Sequence, residues 1–238
     1  MFILVHGAWH GAWCWEQVEH QLEDLGAASV AVDLPGRSGD PRSIAELTLD
    51  SYVDHVVAAI DASPEPVVLV GHSLGGLVIS QTAERRPEKI SSLVYLCAML
   101  LQDGQSTIDA SVNDSDSQLM ANISLDEAAA ASSVVAASAV RDLFYGDCTM
   151  EASDNAARLL VPEPVGPAST PVNVTAERWG SVPRSYIICT QDRAISPAQQ
   201  RAMIASVGVD RVVEMDSSHS PFISQPERLA ALLIDLQD

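Results

Sequence analysis

Val67-Val68-Leu69-Val70-Gly71-His72-Ser73-Leu74-Gly75-Gly76 carries an apolar, largely β-branched run straight into Gly-x-Ser-x-Gly, and a helical pattern follows at once. That combination predicts a strand, a tight turn and a helix, with the serine at the apex of the turn, the form of a nucleophile elbow. Gly71 and Gly75 stand two residues either side of Ser73, where a Cβ would collide as strand and helix converge. A helix beginning at Leu74 would aim free N–H groups and the positive end of its dipole at any negative charge forming beside the serine.

Outward from this stretch, five more apolar runs read as strands: Phe2 to His6, Ser29 to Asp33, Leu93 to Ala98, Tyr186 to Thr190, and Arg211 to Met215. None shows clean period-two alternation, the pattern expected when helices cover both faces of a sheet. Helical patterns fall between them, over about Cys14 to Leu25, Leu47 to Ile60, Leu74 to Arg86, Pro197 to Val207, and Pro226 to Leu236. Strand–helix alternation of this kind predicts right-handed crossovers and an α/β, doubly wound, mostly parallel six-stranded sheet. The alternation stops over residues 101–183, far longer than an ordinary connection of ~2–6 residues. That stretch reads as an inserted, mostly helical lid, with one helix expected over Ser124 to Phe144, capped by Ser124 with Glu127 three residues on. The division is therefore a core of residues 1–100 and 184–238 and a cap of residues 101–183.

The chain has 238 residues and a formal charge of −19, with 32 acidic against 13 basic side chains and Lys89 as its one lysine. Such a surface repels phosphate backbones, which argues against nucleic acid as a partner. No apolar run approaches the ~20 residues of a membrane span, so no membrane partner is expected. Met1 to His6 has neither a basic leader nor a small-residue cleavage site and reads as a strand, which points to the cytoplasm. Cys14, Cys97, Cys148 and Cys189 form no Cys-x-x-Cys pair, so the spacing offers no metal site and reduced, buried thiols are expected. The sequence leaves the oligomeric state open, a homodimer included.

A serine hydroxyl is a weak nucleophile at neutral pH and needs a base, which in turn needs an orienting acid. His20 and His55 lie in helical patterns and read as surface residues; His72 flanks the nucleophile, with its side chain turned elsewhere. His6 and His10 belong to the first loop. His219 lies four residues after Met215, in Asp216-Ser217-Ser218-His219-Ser220-Pro221, and supplies the base in the chain order serine, acid, histidine. For the acid, Asp192 follows the strand ending at Thr190, and Asp103 competes from beyond the strand ending at Ala98. Asp216 is too near His219 in sequence to reach its ring. Two oxyanion donors are expected, the backbone N–H of Leu74 and that of Ala8 in His6-Gly7-Ala8-Trp9, with Gly7 clearing the approach.

With these residues assembled, the chain resembles the α/β-hydrolase superfamily, and more narrowly its group of plant methyl-ester esterases and hydroxynitrile lyases. The resemblance rests on His6-Gly7-Ala8-Trp9-His10-Gly11-Ala12-Trp13, the elbow, Phe144-Tyr145-Gly146-Asp147-Cys148, Trp179-Gly180-Ser181-Val182-Pro183-Arg184 and Cys189-Thr190-Gln191-Asp192. It implies the α/β-hydrolase fold, an apolar pocket under a helical cap, no metal or organic cofactor, and Asp192 rather than Asp103 as the acid. The lyases of this group carry threonine directly after the first-loop histidine and lysine directly after the catalytic one; Gly7 and Ser220 stand there in this chain. A neutral serine cannot hold developing cyanide charge, so the expectation is a serine carboxylic-ester hydrolase acting through an acyl-enzyme on small to medium apolar esters. The alternatives are a lyase-type, cofactor-free enzyme with the same triad and a small-ligand-binding protein on this fold. Trp179 reads as a packing residue.

Overall fold

A computed structural model describes residues 1–237 other than Ser38, Pro41, Val135 and Ala136. In chain order the strands are β1 (Phe2–Val5), β2 (Ser29–Val32), β3 (Val67–His72), β4 (Ile90–Leu96), β5 (Ile123–Asp126), β6 (Ala131–Val134), β7 (Glu163–Pro164), β8 (Arg184–Cys189) and β9 (Arg211–Met215). The helices are α1 (Glu16–Asp24), α2 (Leu49–Asp61), α3 (Gly75–Arg85), α4 (Thr107–Asn113), α5 (Ala137–Phe144), α6 (Met150–Ala157), α7 (Val165–Ser169), α8 (Pro197–Val207), α9 (Pro221–Ser224) and α10 (Pro226–Asp235).

The main sheet has six parallel strands in the order β2-β1-β3-β4-β8-β9. The fold is that of an α/β hydrolase. Every residue of β1, β3 and β8 is buried, β4 exposes only Ser91, and exposure is otherwise concentrated on the edge strands β2 and β9. Side chains leave each central strand for two different cores. Phe2, Leu4, Val68, Val70 and Ile187 pack with Val18 and Leu22 of α1 and Leu229 and Leu233 of α10. Ile3, Val5, Leu69, Tyr95 and Tyr186 face the other way, onto Val53 of α2, Val78 of α3 and Met203 of α8. This two-sided burial explains the unbroken apolar runs.

Topology then decides where chemistry can happen. The chain goes from β1 outward to β2 and returns across β1 to β3, so the order reverses between β1 and β3. A crevice opens at the carboxyl ends of strands at such a switch point. Val5 pairs with Gly71, which sets the loop after β1 beside the turn after β3. Cys189 pairs with Met215, which sets the loops carrying Asp192 and His219 side by side.

Residues 123–144 differ from the expected helix. β5 and β6 form an antiparallel hairpin, β7 adds a third strand, and the helix begins only at Ala137; residues 135 and 136 of the expected helix lie outside the described residues. The cause is local. Asp126 Oδ1 accepts the N–H groups of Ala128 and Ala129, both at 3.1 Å, and Ala130 turns into left-handed backbone at φ +50°. Serine, prone to bond its own backbone, then replaces the good helix formers at Ser132 and Ser133. Segment 101–183 is thus mixed, a small antiparallel sheet with short helices, rather than mostly helical.

Candidate active site

β3 ends at His72 and α3 begins at Gly75, leaving Ser73 and Leu74 in the turn, with Ser73 at φ +53°. Left-handed backbone is unfavourable for a residue with a Cβ, so neighbouring contacts must hold it there. Met99 and Gly76 donate their N–H groups to the Ser73 carbonyl at 2.9 and 3.1 Å, and the Ser73 N–H reaches Leu96 O. The surrounding glycines answer to real crowding. A Cβ on Gly71 would stand 2.7 Å from Gly75 O, and one on Gly75 would stand 2.8 Å from Val5 O. On Gly7 it would stand 2.6 Å from the Ser73 Cβ, so the first loop touches the serine directly.

Ser73 is half-buried and lines a cavity of about 150 Å³ together with Ala8, Leu74 and Met99 from the core. Ile123 and Leu125, on one face of β5, close it from segment 101–183 with Leu119 and Val165. The lining is overwhelmingly apolar. Among the described residues, neither the Ala8 nor the Leu74 N–H donates a hydrogen bond to a protein acceptor, and both residues border this space.

His219 and Asp192 meet at 2.7 Å, Nδ1 to Oδ2, with the residues 2% and 4% exposed. The carboxylate is fully engaged. Its Oδ1 accepts from Ala194 N at 2.7 Å and Ile195 N at 3.0 Å, and Gln200 Nε2 donates to Oδ2 at 3.2 Å. Ser196, not Asp192, caps α8 through Gln199 N. Asp103 lies elsewhere, accepting from Val174 N at 3.0 Å. The hydrogen bonds of the described residues include the His219–Asp192 pair and no Ser73–His219 pair; His72, next to the serine, packs its ring 4.5 Å from that of His219.

Of the other histidines, three are buried in structural roles and two are exposed. His20 and His55 are exposed. His6 donates from Nδ1 to Gly7 O at 2.8 Å and accepts from Leu34 N at Nε2, 3.0 Å. His10 donates from Nδ1 to Ala8 O, and its Nε2 accepts from the Tyr145 hydroxyl at 2.8 Å. Burial holds His6 well below its ordinary pKa and lowers His10 to about 3, so both are neutral. His72 is neutral for the same reason, with the neighbouring His219 ring adding to the effect.

His72 Nε2–H and the Cys97 thiol both donate to the His219 carbonyl oxygen, at 2.8 and 3.4 Å. The ligand atoms of His72, Cys97 and His219 fall within 4.8 Å of one another, which is metal-site spacing that the sequence reading did not anticipate. Two of the three are committed to a carbonyl, however, and burial pushes the Cys97 thiol well up, away from the thiolate a metal requires. The grouping orients the histidine loop. All four cysteines are free and buried.

Several contacts had no signal in the sequence. Ser218 donates to Asp147, tying the histidine loop to segment 101–183. Glu163, 2% exposed, accepts from Arg37 Nη2 at 2.6 Å and from the Tyr52 hydroxyl at 2.8 Å. Burial, followed by the Glu163 charge, raises Tyr52 well above its usual pKa and keeps it a donor. Trp179 packs as expected, donating to Tyr95 OH at 3.0 Å under the Arg184 guanidinium.

A left-handed serine turn at the switch point of a parallel sheet, with a buried histidine–carboxylate pair at the same sheet edge, has the layout of a hydrolase site. The model of the alpha/beta hydrolase family matches residues 2–232, and the chain belongs to that family. It is 32% identical over 257 residues to Methylesterase 1 of Arabidopsis thaliana, covering 100% of this chain and 95% of the relative. It is 30% identical over 252 residues to polyneuridine aldehyde esterase of Rauvolfia serpentina, again over 100% and 95%. A solved pyrethroid hydrolase from Sphingobium faniae superposes with a TM-score of 0.89 at 28% identity, over 100% of this chain and 96% of that one. Relatives of this kind support an ester hydrolase.

Proposed function

We propose that the protein is a serine carboxylic-ester hydrolase working through an acyl-enzyme on small to medium apolar esters, with segment 101–183 as the lid over its site. The observation that carries the reading is the buried His219 Nδ1–Asp192 Oδ2 bond of 2.7 Å beyond the carboxyl ends of β8 and β9, at the same edge of the sheet as the turn after β3. Asp192 fixes the imidazole with its proton on Nδ1, which leaves Nε2 as the base. His219 takes the Ser73 proton as Oγ attacks the ester carbonyl carbon. The N–H groups of Ala8 and Leu74 hold the oxyanion that forms. His219 then protonates the departing alcohol, and a water activated by the same ring releases the acid.

The cavity favours neutral, apolar groups, because its lining returns little to a charged group that has shed its water. Gly7 and Ser220, in place of the lyases' threonine and lysine, turn the same triad toward hydrolysis. Wild-type protein given p-nitrophenyl acetate is expected to release a burst of nitrophenolate, and Ser73→Ala to lose at least about 10⁴-fold in kcat. A wild type that hydrolyses no short-chain activated ester refutes the assignment.

A further inference from the structure

Trp9 follows the oxyanion residue Ala8 and is itself left-handed, with φ +63°. A tryptophan does not take that conformation unaided, since its Cβ crowds the carbonyl oxygen. Three hydrogen bonds hold it. Its N–H donates to Glu163 Oε2 at 2.9 Å, its indole Nε1–H to Ser132 O at 3.0 Å, and its carbonyl accepts from Val161 N at 3.0 Å. All three partners lie in segment 101–183. Arg37 closes the arrangement, bonding Glu163 through Nη2 at 2.6 Å and the next loop carbonyl, His10 O, through Nε at 2.5 Å.

A buried ion pair is a poor device for stabilising a fold, because desolvation offsets most of its attraction. The directions of these bonds suggest a different use. One carboxylate oxygen takes both the Trp9 N–H and Arg37, while Tyr52 from α2 anchors the other at 2.8 Å. The carboxylate thereby joins core, segment 101–183 and oxyanion loop at a single point.

We propose that Glu163 is a positioning residue that holds Trp9 in its left-handed conformation and so aims the Ala8 N–H into the cavity. The oxyanion loop is then complete only while the segment carrying Glu163 is seated on the core. The catalytic meaning of the Ala8 N–H rests on the esterase reading above; the restraint on the loop does not.

The test therefore reads both. Hydrogen exchange of the peptide spanning residues 6–12 reports the loop with or without turnover, and kcat and KM with a p-nitrophenyl ester report its use. Glu163→Ala is expected to speed exchange at the Trp9 amide and to lower kcat, each by about 10- to 100-fold as for loss of a charge-assisted bond, with KM within about twofold. Glu163→Gln keeps an acceptor for the Trp9 N–H and is expected to fall between. Tyr52→Phe removes one hydroxyl from the same carboxylate, and exchange in it should rise by a few-fold, which decides the matter if the alanine variant does not fold. Unchanged exchange in variants that fold overturns the proposal, whatever happens to kcat. Faster exchange with unchanged kcat in an active enzyme overturns the aiming of Ala8. An inactive wild type removes the esterase reading and the aiming with it, and exchange still decides whether Glu163 restrains the loop.

Discussion

Ser73 at φ +53° and the Gly7 Cα against its Cβ make the site a place where backbone, not side chain, sets the geometry. Gly7→Ala would put a methyl 2.6 Å from the Ser73 Cβ and 2.9 Å from His72 Nδ1, both fixed by the elbow. The loop must therefore retreat, carrying the Ala8 N–H with it. A loss of about 10²-fold or more in kcat is expected, as for removal of one oxyanion donor, and steady-state kinetics with a nitrophenyl ester measures it. A Gly7→Ala enzyme with wild-type kcat would show that this donor is not used. Gly71 was legible because the crowding it relieves, against Gly75 O, arises within the elbow itself. Gly75 and Gly7 are pressed from across the sheet, by Val5 O and the Ser73 Cβ, and were legible only through the motifs they belong to. His219 and Asp192 were legible because each follows a recognisable strand at the end where this topology gathers loops. Glu163 was not legible. Its partner Arg37 is 126 residues away, and nothing in Pro162-Glu163-Pro164 or Gly36-Arg37 marks either as the other half of a buried pair.

At the scale of elements, burial separates what is structural from what is tolerant. Leu22 of α1 is fully buried between the sheet and α10, so Leu22→Ala is expected to lower the unfolding free energy by about 2–5 kcal/mol. Val30, on the edge strand β2, is 43% exposed, and Val30→Thr should change stability by no more than about 0.5 kcal/mol. Urea midpoints measure both, and a larger effect at Val30 than at Leu22 would contradict the two-core arrangement. The four central strands of the main sheet could be read from sequence because double burial leaves an apolar run. The edge strands β2 and β9, more exposed, could be read because they keep β-branched residues at Val30, Val32, Val212 and Val213. The hairpin of β5 and β6 could not. Alanine-rich sequence favours helix on propensity, and the Asp126 turn with left-handed Ala130 beyond it overrides that preference.

For the whole molecule, three buried neutral imidazoles set the response to acid. His6, His10 and His72 have pKa values below the unfolded value of 6.5, so the unfolded chain binds protons that the native state refuses. Their contribution is fully present above pH ~6.5 and is lost as pH falls toward the folded values. Stability is expected to drop between about pH 6.5 and pH 5, by up to about 1.4 kcal/mol per pH unit for each group. Urea unfolding at pH 7.5, 6 and 5 measures this, and a flat profile would contradict the neutral assignments. With a net charge of −19, added salt should raise Tm by screening self-repulsion. Among the described residues no helix is long and apolar enough to cross a membrane. The most direct test of Ser73 as nucleophile is the intact mass of the protein after a p-nitrophenyl alkylphosphonate. Its phosphorus forms a bond to the nucleophilic oxygen and expels nitrophenolate. One phosphonyl group per chain, on the peptide containing Ser73 and absent from Ser73→Ala, is the expected result. Labelling at another residue, or ester hydrolysis that persists in Ser73→Ala, would contradict it.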